Sequence, residues 1–162
     1  HTALVLEKMT GKTVAGDTAD FVQSDVVIVI GPQTIVQPDI AEATLAAKLI
    51  EPLPSELGPS YKNSIMLTRY TVIYTPVNAG DSVPASIEGS LSALIEVDSS
   101  VNISFIIVRD AAKLVAPLVG LIGTTNSIQA VARVTFYGND LANNPVQVSG
   151  DITIYFADYP NQ

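Results

Sequence analysis

The sequence predicts an all-β protein: a sandwich of antiparallel strands, about seven to nine in number, with one short crossover helix. Three observations point to it. Apolar residues alternate with polar ones over stretches of strand length, β-branched and aromatic residues concentrate in the same stretches, and clusters of Gly, Pro, Asn, Asp and Ser separate them. The chain has 162 residues, enough for a single core without disulfide or metal support.

The elements follow in order. Ala3, Leu4, Val5 and Leu6 form a compact apolar segment, and the small polar residues from Thr10 to Asp20 read as a linker. The expected organisation is therefore an N-terminal strand and linker over 1–23, tethered to a sandwich domain over 24–162. Val26 to Ile30 is a continuous apolar run, which suggests a strand covered on both faces. Ala43, Leu45, Ala47 and Leu49 then alternate with Thr44, Ala46, Lys48 and Ile50. A helix over the same residues lacks a clean apolar stripe, and Pro38, Pro52 and Pro54 bound the segment to a strand's length.

Ser64 to Thr75 is rich in strand formers, including Ile65, Tyr70, Val72, Ile73 and Tyr74, with apolar residues on both faces. Leu91, Ala93, Ile95 and Val97 share one face of the next strand, and Val101, Ile103, Phe105 and Ile107 share one face of the strand after it. Asp98, Ser99 and Ser100 have the composition of a hairpin turn between those two. From Asp110 to Gly123 the spacing of Leu114, Val115, Leu118, Leu121 and Ile122 becomes helical, with Asp110 as cap and Pro117 as an irregularity. A long antiparallel hairpin closes the chain, with Ile128, Ala130, Ala132, Val134 and Phe136 facing Val146, Val148, Ile152, Ile154 and Phe156 across a turn from Gly138 to Asn144. The expected core is Leu45, Leu91, Ile95, Ile103, Phe105, Val134, Phe136, Ile152 and Ile154.

The stretch from Ala132 to Asn144, followed by Ser149 to Asp158, resembles the final hairpin of bacterial immunoglobulin-like or fibronectin-III-like domains. Asp25-Val-Val-Ile, Leu67-Thr-Arg-Tyr and Ile107-Val-Arg-Asp-Ala-Ala-Lys extend the likeness to uncharacterised exported bacterial proteins, over about residues 24 to 158. What the resemblance implies is fold and compartment, with no activity attached.

Composition excludes several functions. The net charge is -8, the wrong sign for a phosphate-binding surface, so nucleic acid is not an expected partner. Without cysteine, and with His1 as the one histidine, no zinc, haem or disulfide framework is available. No apolar run reaches the length of a transmembrane helix. Charged residues are nevertheless only 15% of the chain, against about 25% in an ordinary soluble domain, and mean hydropathy is +0.36. So sparse a charge implies a chain in a membrane or surface buried against other protein; Arg69, Glu88, Arg133 and Asp151 interrupt the outward faces that a membrane barrel would need, which favours the second. His1 at the start suggests an exported chain whose signal peptide has been removed.

Candidate chemistry is thin. An amino-terminal histidine resembles that of copper monooxygenases, but their site needs a second histidine, which leaves at most a weak copper or nickel site at His1. A Ser-His-Asp triad would have to recruit His1, and no Gly-x-Ser-x-Gly elbow occurs. Asn139, Asp140, Asn143 and Asn144 supply oxygen ligands in one turn, a weak candidate for calcium, as do Asp98 and Asn102. Tyr70, Tyr74, Tyr137 and Tyr155 are either packing residues or a sugar-stacking platform. An isopeptide between a lysine such as Lys8 and a late asparagine has no motif behind it. No cofactor and no enzymatic activity are expected. The expected role is a structural subunit of an extracellular filament or cell-surface assembly, with Ala3, Leu4, Val5 and Leu6 as the interface, donated as a strand to a neighbour's sheet. Pairing of that strand within its own chain is the alternative mode, and a secreted ligand-binding or adhesive module is the alternative function.

Overall fold

The computed structural model describes residues 2–50 and 63–160. His1, Pro52 and Pro54 lie outside the described residues. Eleven strands are present among the described residues: β1 (Thr2–Lys12), β2 (Thr18–Ala19), β3 (Phe21–Asp25), β4 (Ile28–Ile30), β5 (Gln33–Ile35), β6 (Asp39–Leu49), β7 (Ile65–Pro76), β8 (Ile87–Ile95), β9 (Ser100–Val108), β10 (Ser127–Asp140) and β11 (Pro145–Ala157). The crossover holds helix α1 (Asp110–Lys113) and a 3-10 turn (Leu118–Leu121).

Nine strands form two sheets, ordered β2-β1-β6-β9 and β3-β11-β10-β7-β8, and β4 with β5 makes a separate hairpin. The protein is thus all-β, as expected. The two sheets share one core, to which each contributes its inward-facing alternate residues. Of the expected core, Leu45, Ile95, Phe105, Val134, Phe136, Ile152 and Ile154 are buried, while Leu91 and Ile103 are partly buried at its margin. Phe105 of β9 meets Tyr70 of β7 and Phe136 of β10 edge-on, at 5.1 and 5.4 Å between ring centroids, so one aromatic cluster joins the sheets.

Four expectations change. The pairing is not antiparallel throughout, because β3 runs parallel to β11, from Phe21 beside Thr153 to Asp25 beside Ala157. The turn at Asp98 does not close a hairpin: β8 pairs with β7 and β9 pairs with β6, so the turn carries the chain from one sheet to the other. Asp98 takes φ 60 there, a left-handed conformation that aspartate tolerates. Val26 and Val27 are buried, but Ile28 to Ile30 enters the two-stranded hairpin and leaves Val29 and Ile30 exposed. In β7 only one face is covered, with Ile65, Leu67, Tyr70, Val72 and Tyr74 inward and Ile73 exposed. The inward phase shifts from odd to even positions at a bulge between Leu67 and Arg69.

The N-terminal segment pairs within its own chain. β1 lies antiparallel to β6 from Thr2 beside Leu49 to Thr10 beside Glu42, and Leu4 enters the common core together with Val22. Between β1 and β2, Thr13 to Asp17 is a tight turn held by backbone hydrogen bonds between Thr13 and Asp17 and from the Gly16 N–H to the Thr13 carbonyl. The described residues before and after position 24 therefore contribute to a single core.

Candidate functional site

Chemistry collects at one end of the two main sheets, where β3 and β11 stop, β6 begins, the β4–β5 hairpin follows β3 and the crossover leaves β9. The crossover is positioned by its short helix. Asp110 sits in the first turn of α1 and accepts a hydrogen bond from the Ala111 N–H at 2.9 Å, and Lys113 falls on the inward side one turn later. Leu118 and Leu121 of the 3-10 turn bury against the sheets, and the Asp158 carboxylate accepts from the Gly123 N–H at 2.6 Å. The segment is thus fastened at both ends.

Lys113 is 1% exposed and is the largest fully buried side chain among the described residues. Its Nζ donates to the Asp25 carbonyl at 2.9 Å and lies 3.1 Å from Asp39 Oδ2. The Ser24 hydroxyl donates to that same oxygen at 2.5 Å. Burial raises the Asp39 carboxyl above its ordinary value, and Lys113 and Ser24 pull it only part of the way back. Burial also raises Asp25, against the lowering effect of the Tyr159 and Val27 N–H groups that donate to it. Taking a lysine and an aspartate out of water costs several kcal/mol per ion, so this pair persists only because each charge finds good partners. Beside it opens a cleft of about 480 Å³ lined by Val22, Asp25, Val29, Pro38, Asp39 and Lys113. Ser24 itself is fully buried, which keeps its hydroxyl from any substrate in the cleft.

The outside of the same end is apolar. Leu114 is 63% and Val115 58% exposed on the crossover, with Val119 and Ile122 beyond them, and Ile30 is 58% exposed on the β4–β5 hairpin. From Val26 to Pro38, and again from Leu114 to Ala132, the chain carries no charged residue.

The residues singled out in the sequence distribute differently. Of the N-terminal four, Leu4 is buried in its own core and Ala3, Val5 and Leu6 are half-buried. Asn139 and Asp140 end β10, and Asn143, at φ 71, and Asn144 belong to the turn. Asp140 Oδ1 accepts the N–H groups of Ala142 and Asn144 at 3.0 and 2.8 Å, and Oδ2 accepts the Asn144 amide at 2.9 Å. Burial would raise Asp140, yet those hydrogen bonds hold it below the ordinary carboxylate value. The carboxylate is committed to closing its own turn. Among the described residues no group of three or more His, Cys, Asp or Glu is placed to hold a metal.

The tyrosines form no shared platform. Tyr70 and Tyr74 are buried and donate across to the Ile106 and Ile107 carbonyls, Tyr137 lies under the Arg69 guanidinium at 3.7 Å, and Tyr155 stands exposed against the edge of Phe21. No helix among the described residues is long and apolar enough to cross a membrane.

Sequence reasoning missed the Lys113 cluster. Its signal was a lysine inside an apolar crossover, but its partner carbonyl lies 88 residues away. Comparison with protein-family models, with curated proteins and with solved structures gives no match, so the functional argument rests on the geometry.

Proposed function

We propose that this chain is a non-catalytic, immunoglobulin-like structural domain of an extracellular or cell-surface assembly, exported and associating with further copies of itself. The observation that supports it is the set of exposed aliphatic side chains on the crossover and the β4–β5 hairpin, carried by two segments, 26–38 and 114–132, that hold no charged residue. Copies that each carry a net charge of -8 repel one another, and least where neither presents a charge. Exposed aliphatic side chains at that end lose water on contact, at about 25 cal/mol per Å² of apolar area. Sedimentation velocity over a concentration series tests the reading. Self-association is expected in the full chain and weakened by Leu114→Asp with Val115→Asp, which leave the circular dichroism and melting temperature unchanged because both side chains are exposed. A chain that stays monomeric at every concentration overturns the proposal and favours the secreted ligand-binding or adhesive module.

A second mode of association is favoured by β1. Over Ala3 to Thr10 its side away from β6 carries no strand among the described residues, since β2 pairs only with Gly11 and Lys12. Such an edge accepts a strand by β-augmentation, and exchange of β1 between chains would set Ala3, Leu4, Val5 and Leu6 against a neighbour's β6. Deleting residues 1 to 10 separates the modes. Loss of stability, rescued by a peptide of those residues, follows in either mode because β1 pairs with β6; exchange predicts that the rescued chain no longer associates, whereas end-to-end contact predicts that it still does.

A further inference from the structure

We infer that Lys113 and Asp39 are joined by an intramolecular isopeptide bond, formed after folding between Nζ and the side-chain carbonyl carbon of Asp39. The geometry brings an amine and a carboxyl together largely shielded from water: Lys113 is 1% exposed, Asp39 18%, and the nitrogen lies 3.1 Å from Oδ2, which is one bond from the carbon to be attacked. The Asp25 carbonyl, 2.9 Å from Nζ, fixes the direction of one N–H and so orients the nitrogen. The Ser24 hydroxyl, 2.5 Å from Oδ2, is placed to pass a proton on and off that oxygen.

The step balances without any other reactant. Proton transfer within the pair turns ammonium and carboxylate into amine and carboxylic acid. The nitrogen lone pair forms the bond to the carbonyl carbon, and the bond from that carbon to one oxygen breaks. That oxygen leaves as water, carrying the acid's hydrogen and one hydrogen from the amine. The nitrogen keeps the hydrogen that it donates to Asp25. Nothing is oxidised or reduced, and the water departs into the adjoining cleft, which both residues line.

Two physical terms drive a reaction that does not proceed between free amines and acids in water. Burial opposes the charges of the ion pair, raising the Asp39 carboxyl above its ordinary value, and a neutral amide relieves that opposition. Orientation supplies the rest, since well-placed intramolecular groups reach effective molarities of about 10⁵ to 10⁸ M. The bond would pin the crossover to the start of β6 and stands independently of how the domain associates.

The test is the mass of the full chain, purified folded and then measured under denaturing conditions. The expected value is the sequence mass less one water, with proteolysis giving a branched peptide that joins the Asp39 and Lys113 segments. Asp39→Ala and Lys113→Met should each restore the full mass and yield linear peptides. A folded wild-type chain of full sequence mass overturns the inference, as does a lost water mapped to any other pair. Should either variant fail to fold, the wild-type mass and peptide map decide alone.

Discussion

Phe136→Ala probes the junction between the two sheets. Phe136 is 0% exposed at the middle of β10, with Val148 of β11 beside it on one side and Tyr70 of β7 on the other. Its ring meets Phe105 edge-on at 5.4 Å. Truncating a buried phenylalanine costs about 3 to 5 kcal/mol, through lost transfer energy and the cavity left behind. The upper part of that range applies here, because backbone pairing on both sides prevents β10 from collapsing into the space, and the edge-on pair adds roughly 0.5 to 1.5 kcal/mol. At about 2 to 4 °C per kcal/mol for a chain of this size, the melting temperature should fall by roughly 8 to 20 °C. Urea unfolding followed by circular dichroism measures the loss directly, with an unchanged slope showing that the same surface unfolds. Ile73→Ala on neighbouring β7 is the control: it is 53% exposed and should cost less than about 1 kcal/mol. A loss below about 1.5 kcal/mol for Phe136→Ala, or an equal loss for Ile73→Ala, would refute the placement of the core between these sheets.

Gly138→Ala should destabilise by roughly 1 to 3 kcal/mol, since its Cβ would press into the Met66 carbonyl where the β10–β7 register slips; a neutral result in thermal melts would disprove that close approach. Asp140→Asn should cost about 1 to 2 kcal/mol near neutral pH by weakening charged hydrogen bonds. Because the folded carboxyl lies below its ordinary 3.8, its contribution is present above that value and is lost as pH falls through the folded value, so wild type and variant should converge in acid melts. Chelator treatment should leave the melting temperature unchanged, given that Asp140 spends its oxygens on its own turn; a fall of more than about 5 °C would require a structural ion there.

By itself the sequence determined five of the longer strands and their inward faces. Alternation decides which side of a strand is apolar wherever that strand meets a core, so β6, β8, β9, β10 and β11 and most of the core were legible from a period of two. It also determined that the surface is poor in charge. Apart from the closing β10–β11 hairpin, which the local pattern already specified, tertiary structure alone decided the pairing. A turn such as Asp98 to Ser100 has the same composition whether it closes a hairpin or passes between sheets, and only the partners β7 and β6 distinguish the two. Gly138 reads as the opening of a turn, yet the strand continues to Asp140 because β7 backbone comes close enough to require a glycine. The exposed face of Ile73 and the exposed tip at Ile30 depended on whether a second layer covered them, which no local pattern states. The Lys113, Asp39 and Ser24 cluster joins three separate segments of the chain, and it exists only because folding buries Lys113 and Ser24 against a largely covered Asp39.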